Sequence, residues 1–121
     1  MLAIALVAIV AAIHVYILVL EMLLWTRPFG RRVFGTTAEF AAESKVLAAN
    51  QGLYNGFLAA GLVWGLIWAQ TSAGAGHAVQ VFFLGCVIVA GIYGAYSVSR
   101  RIFVVQALPA IVGLALLWIF R

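Results

Sequence analysis

Residues 2–25 read LAIALVAIVAAIHVYILVLEMLLW, and this stretch decides the fold. Only His14 and Glu21 interrupt its apolar and aromatic side chains. A helix rises about 1.5 Å per residue and the hydrocarbon core of a bilayer is about 30 Å thick, so ~20 such residues suffice to cross it. The run has no basic residues ahead of it and is too long for a cleavable leader, so it reads as a retained first helix. Three further runs meet the same length test: residues 46–69, 78–97 and 103–120. With no water to satisfy the backbone in lipid, each must be a helix.

Composition agrees. The 121 residues are 67% hydrophobic and 8% charged, with no Asp, and the mean hydropathy is +1.19. A soluble domain carries roughly a quarter of its residues as charges. A chain this short exposes much of its surface whatever its fold, and here that surface must face lipid. The expectation is an all-α, four-transmembrane-helix bundle forming one domain over residues 1–121, with the bilayer as its first partner.

The net charge of +4 could suit nucleic acid, but its placement speaks against that. Arg27, Arg31, Arg32 and Lys45 lie between the first two runs, Arg100 and Arg101 between the last two. Flanking charges of this kind mark cytoplasmic loops, so both termini and the His77 loop should lie on the other side. Arg121 alone stands against this assignment. No nucleic-acid partner is expected. Cys86 lies in an apolar run and has no second cysteine to pair with.

The long connection, residues 26–45, contains Pro28, Gly30 and Gly35 as breakers. Thr36-Thr37-Ala38-Glu39 has the pattern of a capping box, which predicts a helix starting near Thr37 and running on into the second span. The third loop is very short and makes the last two helices an antiparallel hairpin. Pro109, having no N–H, leaves the Val105 carbonyl without its helical donor and predicts a kink.

The second span carries the most chemistry. Asn50 and Tyr54 share one edge, with Gln51 and Asn55 about 100° round from them. Ala48, Gly52, Gly56 and Ala60 form a small-residue stripe that lets another backbone approach closely. With both sides calling for protein or water, this helix is expected to be the most buried of the assembly. His14 and Glu21 share a face of the first span, about 10 Å apart along its axis. Tyr93, Tyr96 and Arg100 share a face of the third, and Gln106 begins the fourth.

On the loop assignment above, Glu21, Asn50, Gln51, Tyr54, Asn55, Tyr93, Tyr96, Arg100 and Gln106 all fall in the cytoplasmic half. Polar groups at membrane depth turn toward a bundle interior or a cavity, which predicts a polar pocket open to the cytoplasm. Each has a plainer alternative: the amides as interhelical hydrogen bonds, the tyrosines as interfacial anchors, Arg100 as a topology charge. Glu21 is the hardest to explain that way, because a carboxylate inside a span must be protonated, ion-paired or hydrated. His14 is a candidate ligand-binding residue or proton relay, but a lone histidine does not make a metal site, so no metal is expected.

The runs His14-x-Tyr16 to Glu21, Ala48-Ala49-Asn50-Gln51-Gly52-Leu53-Tyr54-Asn55-Gly56 and Gln106-Ala107-Leu108-Pro109-Ala110 resemble small membrane proteins catalogued as domain of unknown function 1304. The likeness covers essentially the whole chain. More distantly, architecture and second-span motif are similar to the MAPEG superfamily of membrane glutathione transferases and leukotriene/prostaglandin synthases, and to bacterial styrene oxide isomerase. That resemblance implies a homotrimer with the second helix near its centre and sites between subunits on the cytoplasmic side. Where glutathione-binding members carry an Arg-x-x-Arg/His-Asn pattern, Val46, Leu47, Ala48 and Ala49 stand here before Asn50. Asn50 also stands at or near the haem-binding histidine of the isomerase motif. Neither glutathione nor haem is expected by those routes, and no cofactor is assigned.

The leading functional expectation is a cytoplasmic-side pocket for a lipophilic small molecule, in a MAPEG-like isomerase or transferase. Glu21 would be the acid/base group, Tyr54 or Tyr93 and the asparagines orienting a substrate oxygen. A small proton-coupled multidrug-type exporter and a non-catalytic membrane scaffold are the alternatives. An exporter would want its carboxylate at mid-membrane, where His14 stands instead.

Overall fold

The computed structural model describes residues 1–120, so Arg121 lies outside the described residues. Among those residues the structure is helical, with no strand. The helices are α1 (Leu2–Met22), α2 (Pro28–Phe34), α3 (Ala38–Trp68), α4 (Ala73–Ser97), α5 (Arg100–Ile102) and α6 (Leu108–Ile119), with a π turn at Phe103–Ala107 before α6. Among the described residues α1, α4 and the continuous stretch Arg100–Ile119 are long and apolar enough to cross a membrane. These three fit a multi-pass integral membrane protein, whose apolar helices suit contact with lipid. At 31 residues α3 is long enough as well, but Asn50, Gln51, Tyr54 and Asn55 lower its hydropathy below that of the other three.

The chain divides into two compact units. One comprises Met1–Ile13 with the chain from Leu58 onward, the other His14–Phe57. The first unit holds the main hydrophobic core, built from Ala3, Val7, Val10 and Ala11 of α1, Leu62 of α3, Leu84 and Val87 of α4, and Ala110 and Leu117 of α6. Only Val98 and Ser99 separate α4 from α5, and the hairpin that follows is antiparallel. Its near end brings Gly91 against the Ala107 backbone, while at its far end His77 meets Trp118 edge-on at 5.7 Å.

The π turn is the helix's answer to Pro109. Leu108 N–H donates to the Phe103 carbonyl, one residue further back than in an α-helix. An extra residue in one turn shifts the hydrogen-bond register locally, as helices often do where a proline removes a donor.

The second unit departs from expectation in its connecting segment. Pro28 and Gly35 do not break helical structure there; they delimit it. Pro28 occupies the first helical turn of α2, where a missing N–H costs nothing, and Gly35 ends it at φ 66°, the left-handed conformation that glycine accepts without strain. Between them Gly30 lies so close to the Leu24 carbonyl that no side chain would fit. Trp25 locks the segment: its ring packs on Phe34 at 4.9 Å, and its Nε1–H donates to Ser44 Oγ at 3.1 Å.

α3 starts at the place the sequence indicates but with a different cap. Thr37, not Thr36, caps it: Thr37 Oγ1 accepts from Phe40 N–H at 3.2 Å. The third residue after the cap is therefore Phe40, and Glu39 is one position short of closing a reciprocal box. α4 begins five positions before the expected residue 78, at Ala73, and the last helical stretch begins at Arg100.

Candidate functional site

The site is assembled within the second unit, where the end of α1 lies along the first half of α3. The small-residue stripe makes this possible. A side chain at Gly52 would meet Met22 Cγ at 2.6 Å, Glu21 Cβ at 3.1 Å and the Leu18 carbonyl oxygen at 3.3 Å, and one at Gly56 would meet Leu18 Cδ1 at 2.6 Å. Ala48 and Gly52 are buried along this contact, while Ala60 is exposed.

Close approach brings Glu21 to Asn55. The Asn55 Nδ2–H₂ group donates to Glu21 Oε2 at 2.9 Å and to its own helix at the Gln51 carbonyl, 3.0 Å away. Both donor hydrogens of the amide are thus used, and the half-buried Glu21 carboxyl is held in one orientation. Glu21 also borders the adjacent space.

That space is a groove of about 450 Å³ lined by Glu21, Met22 and Trp25 from one side and Lys45, Ala49, Asn50 and Leu53 from the other, with Leu23, Thr26 and Val46 completing it. Its walls are largely apolar, with a carboxyl, an amide and an ammonium group set among them.

The other sequence-designated residues are dispersed differently. In the second unit Asn50 is exposed at the groove, its Nδ2 bonded to the Val46 carbonyl at 3.0 Å. Gln51 and Tyr54 are exposed in the single chain, while Gly52 and Gly56 of the stripe lie against α1. His14 is fully buried. In the first unit Tyr93 and Tyr96 are 70% and 90% exposed, Arg100 is exposed and Gln106 is half-buried. Tyr93 borders a shallow apolar groove with Phe82, Gly85, Cys86, Val89 and Ala90. Among the described residues no cluster of three His, Cys, Asp or Glu could hold a metal ion.

Sequence reading missed Gln80. It sits 3% exposed in α4 and donates from Nε2 to the Gly65 carbonyl of α3 at 3.1 Å. A lone glutamine in an apolar span is the signal that could have found it, because an amide at that depth needs a partner. Lys45 was read only as a topology charge, yet it lines the groove together with Trp25.

A family model described as "Protein of unknown function (DUF1304)" matches residues 8–118. The chain belongs to this family. No curated protein and no solved structure matches it. The match spans α1 from Ala8 through the groove residues to Trp118, so the groove and the Glu21–Asn55 pair both fall inside the family region.

Proposed function

We propose that this DUF1304 protein crosses the bilayer four times, α3 being the fourth crossing, and binds a lipophilic small molecule in the groove beside Glu21. The carrying observation is the Asn55–Glu21 hydrogen bond at the edge of an apolar-walled groove. A carboxyl fixed by an amide from a neighbouring helix is a costly arrangement at membrane depth, and such groups tend to mark ligand or proton pathways. Glu21 is the group placed to exchange a proton with a bound molecule. Asn55 positions it, Asn50 and Lys45 meet polar atoms nearer the mouth, and Leu53, Val46 and Ala49 hold the apolar body.

The uncovered arc of Asn50, Gln51 and Tyr54 supports self-association, since amides are both donors and acceptors and serve as glue between membrane helices. The resemblance of the second-helix motif to the MAPEG superfamily favours a trimer. Isomerase or transferase chemistry on the bound molecule is the corresponding reaction class.

Photolabelling tests the binding claim. Protein reconstituted in lipid is irradiated with a lipophilic aryl diazirine, and labelled peptides are mapped with and without excess unlabelled probe. Competable labelling of Met22 or Leu53 is expected, lost in Ala49→Trp, which fills the groove, and weakened in Glu21→Gln. Competable labelling that neither variant changes would reject the groove as the binding site.

A further inference from the structure

A tryptophan at the end of a membrane span ordinarily anchors it, with the ring in the interface and the indole N–H turned to headgroups or water. Trp64 and Trp68 of α3 have that character. Both are exposed, their rings stack on each other at 5.1 Å, and among the described residues neither indole N–H has a hydrogen-bond partner. Trp25 is different. Its Nε1–H is engaged inside the protein by Ser44 Oγ at 3.1 Å, and Ser44 is itself tied, its hydroxyl donating to the Phe40 carbonyl at 2.6 Å. The Trp25 ring also packs on Phe34 at 4.9 Å, with the ring planes inclined at 52°. The half-buried indole is therefore fixed from two directions, and its polar edge is not free to meet a headgroup.

What the fixed ring borders is the groove beside Glu21. On the α3 wall Ala49 is the smallest of the lining side chains and leaves room there. Met22 adds a thioether, a polarizable group that meets aromatic rings favourably. An indole and a thioether favour a flat π-system over a saturated body of equal area, because ring–ring and sulfur–ring contacts contribute beyond the burial that any apolar surface gains. A ring locked before the ligand arrives also has little freedom left to lose on binding. The volume, about 450 Å³, lies in the range of sites that hold one small molecule.

We infer that Trp25 is the specificity-determining wall of the groove, and that the ligand is a lipophilic aromatic molecule whose ring system stacks on the indole. Glu21 then meets a substituent carried by that ring system, and Ser44 and Phe34 act through Trp25 as positioning residues. The inference rests on the groove reading and adds the ligand class to it. An acyl chain or another saturated body could fill the same groove, but it would make no use of the fixed indole.

The experiment is competition of the aryl diazirine labelling by naphthalene and by decalin, each scaled to its concentration in the bilayer. The two hydrocarbons share one fused carbon skeleton, with and without π electrons. Naphthalene should displace the label at a concentration about two- to tenfold lower than decalin, the usual worth of an aromatic pair beyond area burial. Trp25→Leu should abolish that difference, while Trp25→Phe, which keeps a ring, should retain most of it. The readout is a ratio of two ligands on one variant, so a general loosening of the groove does not move it. The wild-type ratio also stands as a test where Trp25→Leu does not fold. Equal potency of the two hydrocarbons on the wild type, or a preference that survives in Trp25→Leu, overturns the assignment. Either result leaves the groove itself standing as long as Ala49→Trp still abolishes competable labelling. Labelling indifferent to Ala49→Trp removes the groove, and the aromatic assignment with it.

Discussion

At the residue scale, the Glu21–Asn55 pair makes an asymmetric prediction. Asn55→Ala removes the one side-chain donor to a half-buried carboxyl and should lower stability by about 1 kcal/mol, the usual worth of a polar contact between membrane helices. Glu21→Gln keeps an acceptor oxygen at the same place and should leave stability within about 0.5 kcal/mol of wild type. Thermal unfolding in detergent separates the two, and equal losses would show that charge matters more than the hydrogen bond. Gly52 is more exacting than either. Its neighbours include the Leu18 carbonyl at 3.3 Å from where a Cβ would stand, and backbone cannot swing aside as a side chain can. Gly52→Leu is therefore expected to separate α1 from α3 and to cost about 1–3 kcal/mol by overpacking. Sequence spacing exposed the stripe and flagged Glu21 and Asn55 separately. It could not pair them, because that depends on the register between two helices distant in the chain.

At the element scale, the long apolar runs were legible because lipid leaves the backbone no alternative to helix. The α2 segment was not, and the reason is physical: proline and glycine mark the start and end of a helix as readily as its absence. Pro28 and Gly35 stand at the two places where each is harmless, and the contact of Gly30 with Leu24 and the packing of Trp25 on Phe34 hold so short a helix in place. The cap of α3 shows the same ambiguity at one-residue resolution. Two adjacent threonines precede the helix, and the pattern with Glu39 favoured the wrong one. The structure's choice is testable. Thr37→Ala removes the acceptor for Phe40 N–H and should cost about 0.5–2 kcal/mol, with faster amide hydrogen exchange confined to the first turn of α3. Exchange that quickens only in Thr36→Ala would restore the capping box.

At the scale of the whole molecule, the number of membrane crossings decides how every other feature is read. Among the described residues three helices are apolar enough to cross, and α3 falls short of them in hydropathy, not in length. If α3 also crosses, the crossings are even in number and both termini lie on one side; if it lies elsewhere, the termini fall on opposite sides. The charges favour the first case, because Arg27, Arg31, Arg32 and Lys45 precede the apolar part of α3 while the connection after it, Gln70 to Ser72, is uncharged. Single-cysteine variants in a Cys86→Ser background can settle the count. Leu2→Cys, Ser72→Cys and Phe120→Cys should react in intact cells with a membrane-impermeant maleimide, whereas Arg32→Cys should react only after the membrane is opened. Labelling of Ser72→Cys together with Arg32→Cys would mean that α3 does not cross. The groove beside Glu21 would then open on a helix lying outside the membrane, and a lipophilic ligand would lose its reason to be there.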